Sequence, residues 1–323
     1  MVKFIMRHTN ASIDCCRFFV ACFVVLIHSG VSSISSNLYN IFQAGVPLFF
    51  VITGFFLDRK KTLFATKNYI HKTSCLYVIW SLMYLPLTIY GCRINEYTLN
   101  KDILFTLHGF FIKGENFYSW PLWYLLATIY AVVLYYFTLK NNWSNEKIIF
   151  SIIIVSSVGY AMEVFSDIKF ISKLKFLIGG TRNGIFQGFP YLMIGVLINR
   201  YQIPEKILSK KKYLIGILLM LIVVSSFLTF TKSFFVNHII CCLLISILLS
   251  AQIKFNVDTT ILRRLGIWMY FIHMYIIYFI GTLVETNNFF VLGPLALTLS
   301  FFVSCLLELL ANRFNFVNRL ITG

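Results

Sequence analysis

Arg17 and His28 lie in the first apolar stretch of the chain, eleven positions apart, and Asp14 stands three positions before Arg17. Eleven steps of about 100° bring a helix back to within about 20° of its starting direction while it rises about 16.5 Å. A guanidinium and an imidazole therefore share one helix face at unequal depths. Groups so spaced cannot touch the same atom, but one extended ligand can touch both. Imidazole, whose ordinary pKa is about 6.5, suits a general base that takes the proton of a hydroxyl. A guanidinium suits a phosphate or another planar anion, held by paired hydrogen bonds. Asp14 and Arg17, at i and i+3, are neighbours able to pair. An ionisable group at the centre of a membrane helix costs about 2.5–3.5 kcal/mol even on a lenient insertion scale, so all three are candidates for function. The alternative is that Asp14 and Arg17 anchor the helix at one interface while His28 faces the headgroups at the other.

The elements that carry these residues must be membrane helices. The 323-residue chain is 59% apolar and only 12% charged, with a mean hydropathy of +0.79. A soluble domain carries about 25% charged residues, so this chain cannot clothe a water-facing surface. Its 18% aromatic content excludes disorder. The net charge of +16 does not imply nucleic acid, because the bases sit between apolar runs and form no basic face on a soluble fold. Eight cysteines without a CxxC read as small buried hydrophobes, with neither a disulfide framework nor a metal site.

A spanning helix needs ~20 mostly apolar residues, and about ten such stretches are present. They run near 11–31, 38–57, 73–91, 120–139, 148–165, 183–199, 213–230, 234–252, 267–285 and 289–310. The expected fold is an all-α polytopic membrane bundle of about ten helices, a single domain over 1–323. A cytoplasmic N-terminus puts nineteen of the 28 bases inside, from Lys3 and Arg7 through Lys254, Arg263 and Arg264 to Arg313 and Arg319, which favours both termini in the cytoplasm and a multi-pass protein of the cell membrane. Two regions strain this reading. Residues 103–113 are too short to span and read as an interfacial or re-entrant piece, and 166–182 carry four bases on the outer side. A cleaved signal peptide is the competing reading of the N-terminus, disfavoured because Asp14, Arg17 and His28 would be odd passengers in it.

The string Asp14-Cys15-Cys16-Arg17, followed after ten residues by His28, resembles the first-helix signature of the membrane-bound acyltransferase 3 family. The run Gly45 to Phe55 is similar to its second-helix motif, with Thr53 where Ser is usual. Leu122-Trp123-Tyr124-Leu125, Arg182 to Tyr191 leading to Gly195, and Tyr270-Phe271-Ile272-His273 are further matches in family order. Where the family often has Arg-x-x-Arg the chain has Tyr69-Ile70-His71-Lys72, and Pro121 stands where a His often precedes the Leu-Trp motif. Segments 76–81 and 182–195 also resemble the membrane half of bacterial membrane-bound serine racemases, which is thought to handle an amino acid.

The resemblance implies a ten-helix enzyme that moves an acyl group, usually acetyl, from cytoplasmic acyl-CoA to a hydroxyl of a surface polysaccharide or lipid-linked glycan, with Arg17 and His28 as its catalytic pair. On that reading His28 is the base, Arg17 with Lys72 and Arg59 holds acetyl-CoA, and Thr53 or the Trp123 indole faces the thioester oxygen as its charge develops. Trp123 and Tyr124 stack on a sugar ring or form an interfacial belt. Arg182 contacts the acceptor or headgroups, and His273 is an acceptor contact or a structural histidine. His238 reads as structural, and His8, His71 and His108 as interfacial. No metal is expected, and no motif for nucleotide hydrolysis, hydride transfer or zinc proteolysis appears. The alternative function is a transporter of an amino acid such as serine, or of a lipid-linked sugar.

Overall fold

A computed structural model of the protein describes residues 10–94, 99–228, 230–251, 258–284 and 288–323. Lys3, Arg7, His8 and Lys254, used above for orientation and interfaces, lie outside the described residues. Among the described residues the regular structure is all helical. The elements are α1 (Ala11–His28), α2 (Ser36–Gln43), α3 (Gly45–Lys60), α4 (Leu63–Met83), α5 (Leu85–Ile94), α6 (Leu99–His108), α7 (Trp123–Lys140) and α8 (Asn145–Val164). They continue with α9 (Lys169–Leu177), α10 (Phe189–Arg200), α11 (Ile203–Lys206), α12 (Lys211–Ser226), α13 (Phe230–Ser250), α14 (Thr260–Val284), α15 (Phe289–Arg313) and α16 (Asn315–Thr322).

Among the described residues six helices are long and apolar enough to cross a membrane: Ala11–His28, Ser36–Lys60, Trp120–Lys140, Asn145–Val164, Thr260–Val284 and Phe289–Arg313. The pair α4 and α5 makes a seventh if taken as one span bent by 49°. The three other expected spans fall on α10 with the π-helical turn before it (Gly184–Gly188), on α12 and on α13. The protein is thus a multi-pass membrane bundle with six or seven spans by length and composition.

Caps fix where several helices begin. Asn10, Ser35, Thr62 and Ser144 each accept a hydrogen bond from the backbone N–H three residues on, at the starts of α1, α2, α4 and α8. α1 ends at His28, and two residues later Gly30 turns the chain with φ 94°, a left-handed conformation that glycine adopts without a steric cost. Consequently His28 occupies the last turn of its helix, at the opposite end from Asp14.

Two cores flank α1. Ile13 and Val20 pack into one with α3, α7, α10 and α13, whereas Ala21 and Val25 pack into the other with α4, α7, α14 and α15. This central position explains why polar residues of α1 face protein. The closest helix approach is between α3 and α10: a Cβ on Gly54 would stand 1.9 Å from the Leu192 carbonyl oxygen, and one on Gly195 2.0 Å from that of Val51. Each helix offers the other a backbone groove at that level, as small residues do in membrane bundles.

Buried charges at one end of the bundle are paired. Asp58 accepts from Asn199 at 2.8 Å and lies 3.3 Å from Arg200, while Glu308 lies 2.6 Å from Arg264 and accepts from the Trp268 indole at 3.1 Å. At the other end the 103–113 stretch is helical and turns back through a π-helical turn (Gly109–Lys113), where Tyr77 of α4 donates to the Phe110 carbonyl oxygen at 2.6 Å. Most of its large apolar side chains, Leu104 and Phe111 among them, are exposed.

Candidate active site

Two cavities lie along α1. The first, of about 250 Å³, is lined by His28, Gln43, Trp123, Arg182 and Gln187, among others. The second, of about 330 Å³, is lined by Arg17, Thr53, Tyr69, Lys72, Thr128 and Arg263. Phe49, Tyr124 and Tyr270 line both. Arg17 and His28 therefore line two separate chambers that meet at an aromatic partition. Tyr124 packs on Phe50 with ring centres 4.8 Å apart and stands 6.1 Å from Tyr270, whose hydroxyl donates to the Pro121 carbonyl.

The second chamber is cationic. Arg17, Lys72 and Arg263 line it, and the nearby carboxylate, Asp14, is 2% exposed behind them. Asp14 lies 3.7 Å from both guanidiniums and accepts a hydrogen bond from the Thr259 hydroxyl at 3.2 Å. It holds two cations side by side where each would otherwise repel the other. The Arg17 guanidinium also lies over the Phe56 ring, 5.6 Å from its centre. The arrangement can grip an anion bearing several oxygens, with each fork offering paired donors.

The first chamber holds His28, whose ring stacks on Trp120 at 6.1 Å and stands 5.2 Å from the ring of His273. Trp123 borders it at the start of α7. Arg182 reaches in from the loop before the π-helical turn, and its Nη2 donates to the Gln43 side chain at 3.3 Å. Asn183 fixes that loop by accepting from the backbone N–H groups of Ile185 and Phe186, both at 2.9 Å. An imidazole and a guanidinium thus face one space with largely apolar walls.

Of the residues singled out from sequence, Arg17, Lys72 and Thr53 meet in one chamber, His28, Trp123 and Arg182 in the other, and Tyr124 in both. Asp14 stands behind Arg17. Arg59 lines neither chamber; its guanidinium lies over Phe55 at the end of α3. His273 lines neither and is fully buried beside His28. His238 is buried, 3.2 Å from the Ser156 hydroxyl and stacked on Tyr191. Sequence reasoning overlooked Arg263, Tyr69 and Gln43. The Arg263-Arg264 doublet registers in the sequence only as an orientation signal, although Arg263 belongs to the cationic chamber and Arg264 to the Glu308 network.

An amino-acid racemase of Enterococcus faecalis is 29% identical over 226 residues, which cover 64% of this chain and 31% of that protein. A serine/alanine racemase of Enterococcus gallinarum is 27% identical over 222 residues, 62% of this chain and 30% of its own length. The chain thus matches less than a third of the length of these curated relatives. No solved structure matches it. The model of an acyltransferase domain matches residues 10–312, nearly the whole length, so the chain belongs to the membrane-bound acyltransferase 3 family.

Proposed function

We propose that the protein is an integral membrane O-acyltransferase that moves an acetyl group from cytoplasmic acetyl-CoA to a hydroxyl of a surface polysaccharide or lipid-linked glycan. The observation that carries this reading is the juxtaposition of a cationic chamber and a histidine chamber along one helix, meeting at Phe49, Tyr124 and Tyr270. Arg17, Arg263 and Lys72 hold the phosphates of the donor, and the pantetheine arm runs along α1 past the partition toward His28. The rise of about 16.5 Å between Arg17 and His28 is of the order of such an arm. The acceptor sits against Trp123 and Arg182. His28 takes the hydroxyl proton as the oxygen attacks the thioester carbon, the C–S bond breaks, and the CoA thiolate leaves with that proton, giving an ester and free CoA. Trp123 lies at the wall of the His28 chamber, where a donor for the developing oxyanion is needed, whereas Thr53 lines the chamber that takes the donor's phosphates.

The test is mass spectrometry of the surface glycan of cells that carry the wild-type chain, the His28→Ala chain or no copy. Loss of one acetyl per repeat in both deficient strains is expected. Acetylation by the His28→Ala chain at near wild-type level would sink the assignment.

A second reading, transport of an amino acid or a lipid-linked sugar without acyl transfer, draws on the names of the racemase relatives and on Arg182, a suitable partner for a carboxylate. It predicts an unmodified glycan with altered serine uptake in the same strains.

A further inference from the structure

Among the described residues two buried side-chain polar atoms have no hydrogen-bond partner, Ser300 Oγ and His273 Nε2. Leaving such an atom unpaired costs about 1–3 kcal/mol, so a native chain that keeps one calls for a reason. His273 is fully buried on α14, and its Nδ1 lies 3.1 Å from the Met269 carbonyl oxygen one turn earlier. A carbonyl oxygen only accepts, which puts the ring proton on Nδ1 and leaves Nε2 as a bare lone pair. The His28 ring lies 5.2 Å away between centres, inclined by 35°, nearer than the Tyr270 ring at 6.5 Å.

That spacing is informative. Two imidazoles joined by an in-line N–H···N bond have ring centres about 5.2 Å apart, from a bond of about 3.0 Å and roughly 1.1 Å between each ring centre and its nitrogen. The distance between the centres of His28 and His273 fits such a bond once the two rings meet edge to edge. His28 borders the first chamber in the last turn of α1, and a turn of its ring about the side-chain bonds brings a nitrogen toward His273.

We propose that His273 is the positioning residue of the His28 base: it accepts a ring N–H of His28 on Nε2 and so leaves the other His28 nitrogen unprotonated and turned to the acceptor chamber. The proposal rests on the acyltransferase reading above. During transfer the acceptor hydroxyl gives its proton to that free nitrogen as its oxygen bonds to the thioester carbon. His28 is then a cation with two N–H groups, one held by His273 and one aimed at the reacting centre. When the C–S bond breaks, the second proton passes to the CoA sulfur and His28 returns to its starting tautomer. His273 keeps its own proton on Nδ1 throughout and touches neither substrate.

The experiment uses the full chain in lipid nanodiscs, with acetyl-CoA as donor and the host's surface glycan as acceptor, reading CoA thiol release. His273→Asn keeps a donor for the Met269 carbonyl and removes the acceptor at the Nε2 position, whereas His273→Gln places an amide oxygen near that position. Removing the group that orients a working imidazole costs about 10–100-fold, so His273→Asn lowers kcat by that factor. KM for acetyl-CoA stays within about twofold, and His273→Gln recovers most of the lost rate. Independently of activity, nitrogen NMR of 15N-histidine-labelled protein shows His28 as a single neutral tautomer in the wild type and as a mixture in His273→Asn. A wild-type kcat in His273→Asn, or a wild-type His28 spread over both tautomers, overturns the proposal; the second result stands even if the variant fails to fold. Transfer by His28→Ala sinks the acyltransferase reading itself, whereas a silent His28→Ala beside a fully active His273→Asn sinks only this inference.

Discussion

Asp14 and Arg263 lie 3.7 Å apart although they come from opposite ends of the chain, and the same carboxylate stands 3.7 Å from Arg17. One buried acid therefore ties the first helix to the ninth expected span and fixes the spacing of two guanidiniums at a chamber wall. Asp14→Asn keeps the size and the hydrogen bond from Thr259 while removing the charge that both cations share. We expect a loss of about 1–3 kcal/mol in stability, below the penalty for a fully enclosed pair because both arginines are partly exposed. KM for acetyl-CoA should rise by about 10-fold with a smaller change in kcat, since the two cations then repel and splay. Thermal unfolding in detergent and initial rates against acetyl-CoA check both parts.

Arg263→Ala tests the cationic chamber with every residue of the first helix unchanged, although it removes one of the two cations beside Asp14. A hydrogen bond to a charged group contributes about 1.5–3 kcal/mol, which corresponds to roughly a 10–100-fold weaker hold on the donor. The change should appear in KM for acetyl-CoA and in the inhibition constant of free CoA, with kcat within about threefold of wild type. An unchanged inhibition constant for CoA would remove Arg263 from the donor site.

Much of the fold is legible in hydropathy because a spanning helix announces itself locally, and 11–31, 120–139, 148–165, 267–285 and 289–310 each coincide with a helix long enough to cross. The stretches 183–199, 213–230 and 234–252 are less legible. Their apolar residues meet the composition of a span, but α10 begins only at Phe189, after a π-helical turn. The pair Arg17 and His28 was legible because both members lie on one helix, where spacing converts directly to direction and depth. Arg263 and Tyr270 were not, since their part in the site depends on α14 packing along α1. Local pattern carries no trace of that contact. Arg59 illustrates the converse: a base next to the second helix, plausible by charge, which the end of α3 holds over Phe55 away from both chambers.

Gly54 and Gly195 predict a sharp stability effect away from the chemistry. A methyl group on Gly54 would stand 1.9 Å from the Leu192 carbonyl oxygen, a backbone atom that cannot swing aside. Gly54→Ala must push α3 from α10, and we expect it to cost at least about 1–3 kcal/mol. Gly216→Ala is the control, because open space surrounds that position. Melting in the same detergent should fall for Gly54→Ala and stay level for Gly216→Ala.

The aromatic partition makes the last prediction. Tyr124 belongs to the walls of both chambers, and its ring packs against Phe50 and faces Tyr270. On the proposed donor path, an arm that reaches His28 has to pass this ring, which would also limit the water that meets the thioester. Tyr124→Ala opens the partition permanently. Transfer to glycan should fall, because the arm loses the wall that orients it, while hydrolysis of acetyl-CoA in the absence of acceptor should rise by about 10-fold as water gains the thioester. Tyr270→Phe removes only the hydroxyl that donates to Pro121 and should change hydrolysis little. The measurement is CoA thiol release from acetyl-CoA with and without glycan. Hydrolysis that stays at the wild-type level in Tyr124→Ala would mean that the two chambers are not successive parts of one donor path.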